Sequence, residues 1–190
     1  MPTGHAIRSN RRDSFMLLSP DHLRVVLPDE AAILPLAAVL ALSLPRCAFV
    51  ALMGDLGAGK TTLVKAVAAA AGIDPSEVVS PTFGLIHIHQ RPPHATNDPG
   101  QRLVHADLYR LNGVTDLDEI GWEDAISPSG WVFVEWAQRI ASHLPAERLD
   151  IVFDIDSETG RTLSFTSYSC DYRVLMQRLR EHRSKHSIAQ

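Results

Sequence analysis

The sequence predicts a single α/β domain: a mixed parallel and antiparallel sheet with helices on both faces. Three observations predict it. Ala48–Met53 (AFVALM) is a continuous apolar run of strand length, the pattern of a central strand buried on both faces. It leads without a break into a glycine-rich turn, and the turn leads into the alanine-rich helical stretch Thr61–Ala71. Trp131–Glu135 (WVFVE) then repeats the buried-strand pattern. At 190 residues, 45% hydrophobic and 21% charged, the chain suits one domain with a sizeable core.

Taken in order, residues 1–20 read as a loose leader. Arg8, Arg11 and Arg12 precede only Phe15–Leu18 as an apolar stretch, too short for the core of a signal peptide. Residues 21–170 are expected to form the domain proper, and residues 171–190 a C-terminal helix and tail. Arg24–Leu27 reads as a short strand. Asp29 is placed to cap the helix that follows, and Pro35 must bend or delay it. Gly72 is placed to end the helix after the glycine-rich turn.

Thr82–His89 and Arg102–Asp107 read as strands joined by the polar, proline-rich loop Gln90–Gln101. That loop has no room for a crossover helix, so the two strands must pair antiparallel if they pair. Leu117–Ala125 reads as a short helix. Asp150–Ile155 and Thr162–Ser167 read as a hairpin turning at Ser157–Gly160, and Tyr172–Lys185 as the terminal helix.

Composition excludes some functions. No apolar run is long enough to span a membrane. Cys47 and Cys170 show no paired spacing, which argues against a disulfide framework or zinc ribbon and fits a reducing cytoplasm. Net charge is −4. A protein that grips a phosphate backbone by itself usually shows a basic face. The basic concentration here is Arg173, Arg178, Arg180, Arg183 and Lys185, which reads as the solvated side of the last helix.

The chemistry concentrates at Gly54-Asp55-Leu56-Gly57-Ala58-Gly59-Lys60-Thr61, which matches G-x-x-x-x-G-K-[ST]. Glycines let the backbone turn its N–H groups inward as a nest for anions. A helix N-terminus adds positive partial charge at the same place. Lys60 can reach terminal phosphates, and the Thr61 hydroxyl can ligate Mg²⁺. The strand before the loop and the helix after it supply the context the motif needs, so the fold is of the P-loop NTPase type. No N-K-x-D tetrapeptide occurs, and its absence favours ATP over GTP.

A triphosphate site also needs a carboxylate at the end of a neighbouring strand. Asp107 and Glu135 both end strand-like runs, and spacing alone does not rank them. His87, His89, His105 and Asp107 invite a metal reading by alternation, but a Mg²⁺ site prefers oxygen ligands. These histidines are expected on the nucleotide side of the sheet or on a partner surface. Ser80-Pro81-Thr82-Phe83, read on its own, is a turn leading into a strand.

Four segments together carry a resemblance. GDLGAGKTT at Gly54–Thr62, SPTF at Ser80–Phe83, HADLYRL at His105–Leu111 and EW at Glu135–Trp136 stand in the order and rough spacing of the TsaE family. The match spans about residues 24–165. The resemblance implies a small P-loop ATPase working with the TsaB and TsaD subunits that install threonylcarbamoyl on adenosine 37 of tRNA, meeting tRNA only through them. It implies loop residues Asp55 to Thr62 on the nucleotide, Lys60 on its phosphates and Thr61 on Mg²⁺. It further implies Asp107 and Glu135 around the metal and attacking water, and Thr82 in a nucleotide-sensing loop. Trp136 would lie beside the site, Arg161 would contact the nucleotide, and the chain near Glu30 would pass the base. Two departures stand out: Pro45-Arg46-Cys47 replaces the usual Gly-Asp before the loop strand, and Gly84 replaces a second threonine after SPTF.

Two other readings differ in their predictions. A small-molecule kinase should carry an arginine-bearing lid, and none is evident. A binding module would use ATP occupancy to dock a partner, with hydrolysis incidental.

Overall fold

The computed structural model describes residues 20–81, 85–92, 101–111, 116–126 and 130–187. Thr82 and nearly all of the expected leader lie outside the described residues.

Seven strands form one sheet: β1 (Asp21–Leu27), β2 (Ala48–Gly54), β3 (Ile86–Arg91), β4 (Gln101–Asp107), β5 (Gly130–Glu135), β6 (Leu149–Ile155) and β7 (Arg161–Ser167). The order across the sheet is β1-β7-β6-β2-β5-β4-β3. The four inner strands β6, β2, β5 and β4 run parallel, while β3–β4, β6–β7 and β1–β7 pair antiparallel. The expected hairpin of β3 on β4 is therefore present, with His87 opposite His105. The carboxyl ends of the parallel strands lie together, and α/β sheets place their ligand sites at such an edge.

Among the described residues four α-helices flank the sheet: α1 (Ile33–Ser43), α2 (Lys60–Ala70), α3 (Trp122–Ala125) and α4 (Arg173–Ser187). Asp29 caps a short 3-10 turn ahead of α1, its Oδ1 accepting from the Ala32 N–H at 3.0 Å. Pro35 sits in the first turn of α1, where its missing N–H leaves no intrahelical bond unmade. α2 ends on Gly72 at φ +84, and the Ile73 N–H returns to the Ala68 carbonyl at 3.0 Å.

Alternation along the strands splits the core. Val50 and Leu52 of β2, with Phe133 of β5 and Leu103 of β4, meet α1, α2 and α4 on one face. Phe49, Ala51, Val104, Val132 and Val134 meet Leu108, Leu117, Trp122 and Ile140 on the other. Helices thus cover both faces. Leu175, Met176 and Leu179 of α4 are buried in the first core, whereas Arg173, Arg178, Arg183 and Lys185 are exposed.

One expectation needs correction. The stretch Leu117–Ala125 is not a continuous helix: only Trp122–Ala125 is α-helical, after a series of turns. Gly121 at φ +65 breaks the run.

Tyr172 fills a gap in the sheet. The first β2–β6 pair is Val50 with Leu149, so Phe49 has no β6 partner. The buried Tyr172 hydroxyl accepts from the Phe49 N–H at 3.0 Å and donates to the Phe49 carbonyl at 3.1 Å.

Candidate functional site

The glycine-rich loop leaves β2 at its carboxyl end, between β5 and β6. Gly54 makes the turn at φ +137, and a Cβ there would stand 2.6 Å from the Phe153 carbonyl oxygen of β6. Only glycine fits so close an approach in that backbone region. Gly57 and Gly59 also hold positive φ, at +75 and +102, and α2 begins at Lys60 with its free N–H groups toward the loop.

Lys60 is buried, and its Nζ donates to the carbonyls of Gly54 and Asp55, each at 2.8 Å. The Trp136 ring lies over the same ammonium, 4.1 Å from Nζ to centroid. Burial pushes the Lys60 ammonium below the usual lysine range, and the charges of Glu135, Asp107 and Asp55 partly offset that. Its proton is held less tightly than that of a surface lysine.

Thr61 Oγ1 donates to Glu135, at 2.7 Å to Oε1 and 3.0 Å to Oε2. Glu135 also accepts at Oε1 from His105 Nε2, at 2.8 Å. The register explains the convergence. Asp107 pairs with Glu135 and His105 with Phe133 across β4–β5, while Leu52 pairs with Glu135 across β2–β5. Period-two alternation then sets His105, Asp107 and Glu135 on the face that α2 covers.

The two strand-end acids are thereby distinguished. Glu135 binds the loop threonine, whereas Asp107 accepts from Ser80 Oγ at 3.3 Å and from the Tyr109 N–H at 3.0 Å. Asp107 is tied to Ser80 at the start of the SPTF segment, whose Thr82 lies outside the described residues. Both acids are buried.

Trp136 adopts φ +60 and ψ +33, a left-handed backbone that a bulky residue rarely takes. The conformation turns its ring onto Lys60, and Tyr109 packs against it at 5.0 Å between centroids.

Beside Gly57–Gly59 and Thr62 opens a cavity of about 220 Å³. Leu27, Ile33 and Phe153 give it apolar walls, and Glu30 and Arg161 stand at its polar side. Arg161 is steered by its own turn: Nη1 donates to the Gly160 carbonyl at 2.8 Å and the Ser157 carbonyl at 3.0 Å. Its Nη2 reaches 3.4 Å from the Gly57 carbonyl. Residues Asp55 to Thr62, Glu30 and Arg161 are thus brought to one region, next to Asp107 and Glu135.

Thr61, Glu135 and Asp107 offer hard oxygen atoms only, the donor type that Mg²⁺ takes, and Thr61 is hydrogen-bonded to both oxygens of Glu135. Among the described residues, no group of three or more His, Cys, Asp or Glu is arranged to hold a metal by itself. His87 and His89 pack edge to face, with ring centroids 6.2 Å apart. His105 turns inward to Glu135, a role that spacing had not singled out, although its position two residues before Asp107 places it on the same face.

Strand order, glycine-rich loop and strand-end carboxylate define a P-loop NTPase-like α/β protein. More particularly, the chain belongs to the TsaE family. The family model described as threonylcarbamoyl adenosine biosynthesis protein TsaE matches residues 27–163. The tRNA threonylcarbamoyladenosine biosynthesis protein TsaE of Bacillus subtilis is 37% identical over 131 residues, covering 69% of this chain and 77% of that protein. The TsaE of a Nostoc species is 33% identical over 150 residues, covering 77% and 87%. The crystal structure of Bacillus subtilis YdiB superposes with a TM-score of 0.64 at 30% identity, covering 86% of this chain and 97% of that one. Among the described residues, no helix is long and apolar enough to cross a membrane.

Proposed function

We propose that this protein is a Mg²⁺-dependent ATPase that drives or resets a TsaB–TsaD complex during threonylcarbamoylation of tRNA adenosine. Family membership supports the pathway. The observation that carries the catalytic reading is the contact of the loop threonine with the acid ending β5, 2.7 Å from Thr61 Oγ1 to Glu135 Oε1.

In this reading the nest of loop N–H groups and the α2 N-terminus bind the phosphates, and Lys60 exchanges its two carbonyl partners for phosphate oxygens. Thr61, Glu135 and Asp107 would hold Mg²⁺ with the triphosphate, and the ion would neutralise charge that develops on the phosphoryl oxygens. Glu135 orients the attacking water. Asp107, bonded to Ser80, links the site to the segment that leads to Thr82. The cavity between Glu30, Ile33 and Arg161 takes the base and ribose. Trp136 closes the site over Lys60.

Hydrolysis of ATP by the purified chain, with and without TsaB–TsaD, tests the proposal. Low activity alone and clear stimulation by the complex are expected. Repeated rounds of tRNA modification supported by a non-hydrolysable analogue would instead make occupancy the working step. Phosphate recovered on a metabolite would make the protein a kinase.

A further inference from the structure

Among the described residues the Glu135 carboxylate has two side-chain donors, and they differ in kind. Thr61 belongs to the phosphate loop, whose contacts a bound nucleotide would rearrange. His105 belongs to the neighbouring strand β4 and is fully buried, at 0% exposure. Its Nε2 lies 2.8 Å from Glu135 Oε1, and its other nitrogen, Nδ1, is buried with no partner among the described residues. A carboxylate only accepts, so the Nε2–H tautomer fits this contact.

Packing alone does not account for an imidazole here. On one side its same-face neighbours are the apolar, completely buried Leu103 of β4 and Phe133 of β5, and on the other are the acids Asp107 and Glu135. An aromatic hydrocarbon would fill such a position without leaving a buried nitrogen unbonded, a deficit that costs about 1–3 kcal/mol. What the imidazole adds is one hydrogen bond, directed at one oxygen of Glu135.

We infer that His105 is the positioning residue for Glu135: it fixes Oε1, so that Oε2 faces the reacting water. The inference rests on the ATPase reading of Glu135 and extends it. A glutamate retains three rotatable bonds, and the His105 contact restrains them from a strand outside the phosphate loop. The role requires no change in the charge of His105.

The experiment compares His105→Phe, which keeps the volume and removes the donor, with His105→Gln, which restores an N–H near the Nε2 position. His105→Met replaces the phenylalanine variant if that variant does not fold. Two quantities are read besides the melting temperature. One is kcat and KM for ATP with TsaB–TsaD present. The other is the factor by which Mg²⁺ tightens binding of adenylyl imidodiphosphate, followed by tryptophan fluorescence, which needs no turnover. His105→Phe is expected to lower kcat by roughly 10–100-fold and to reduce the Mg²⁺ effect about tenfold, with KM rising by no more than about the same tenfold. His105→Gln is expected to recover both to within about fivefold.

Wild-type values in His105→Phe overturn the inference. Equal losses in both variants, tracking equal falls in melting temperature, overturn it as well, because His105 is then a packing residue. If no protein hydrolyses ATP yet the Mg²⁺ effect falls in His105→Phe and returns in His105→Gln, the ATPase reading fails and the positioning role stands. Absence of both hydrolysis and any difference in Mg²⁺ effect overturns both.

Discussion

Glu135→Gln separates chemistry from architecture at this site. The carboxylate accepts from His105 at 2.8 Å and from Thr61 at 2.7 and 3.0 Å. A glutamine keeps the shape. Its carbonyl oxygen can take the His105 N–H, and its amide can face the Thr61 hydroxyl, which then accepts instead of donating. Two charge-assisted bonds become neutral ones, a loss of about 1 kcal/mol each, offset by no longer burying a charge. The net effect on stability is within about 1 kcal/mol, a shift of roughly 2–4 °C in a chain of this length. Catalysis, by contrast, loses the charge that orients and activates water, and removal of one such group typically costs about 10²–10³ in rate. Steady-state phosphate release at saturating ATP, with TsaB–TsaD present, is the assay, and thermal melting is the control. A variant that folds normally and hydrolyses ATP within about threefold of wild type would refute the assignment of Glu135.

Three further outcomes are expected. Lys60→Ala should abolish measurable hydrolysis and weaken ATP binding at least about 100-fold by equilibrium titration, because the loop loses its one buried cation. Arg161→Ala should weaken nucleotide affinity about 3–10-fold with kcat little changed; an unchanged dissociation constant would remove Arg161 from the site. Tyr172→Phe strips both partners from the Phe49 backbone, costing about 2–4 kcal/mol, or roughly 4–16 °C, without changing kcat. Burial also pushes the Tyr172 hydroxyl up to about 12 from 10.0, against the opposing effect of its bond to Phe49. Below pH 10 both folded and unfolded chains keep that proton. Between pH 10 and 12 the unfolded chain gives it up first, so wild-type stability falls there by on the order of 3 kcal/mol. Urea melts across that range should show the fall in wild type and its absence in Tyr172→Phe.

The phosphate loop was legible because its chemistry is contiguous. Gly54, Lys60 and Thr61 lie within eight residues, and β2 and α2 identify themselves by burial and composition. The hairpins were legible for a similar local reason, since β3–β4 and β6–β7 are joined by segments too short for a crossover. The order of strands was not. Nothing local in Asp21–Leu27 says that it pairs with Arg161–Ser167, or that β6 lies beside β2. That pairing brings Glu30 and Arg161 to one cavity, which only the resemblance had suggested. Leu117–Ala125 misled because its apolar spacing suits a helix, while one backbone angle at Gly121 decides otherwise. The left-handed turn at Trp136 has no sequence signal, since tryptophan is among the residues least expected there.

Spacing alone did not rank Asp107 and Glu135, although the run ending in Glu135 is the more uniformly apolar, and the difference between them is a matter of what each touches. Both belong to neighbouring parallel strands in direct register, so their backbones are equivalent with respect to the sheet. Position in the sheet breaks the equivalence. β5 is the immediate neighbour of β2, so its last residue meets the first turn of α2, where Thr61 stands. β4 is one strand further out, so its last residue meets the turn at Ser80 that leads back toward the edge hairpin. Under the proposed function a ligand recruits Lys60 from two loop carbonyls to its phosphates. His105, standing on β4 outside the loop, instead holds Glu135 by a contact for which the phosphates do not compete.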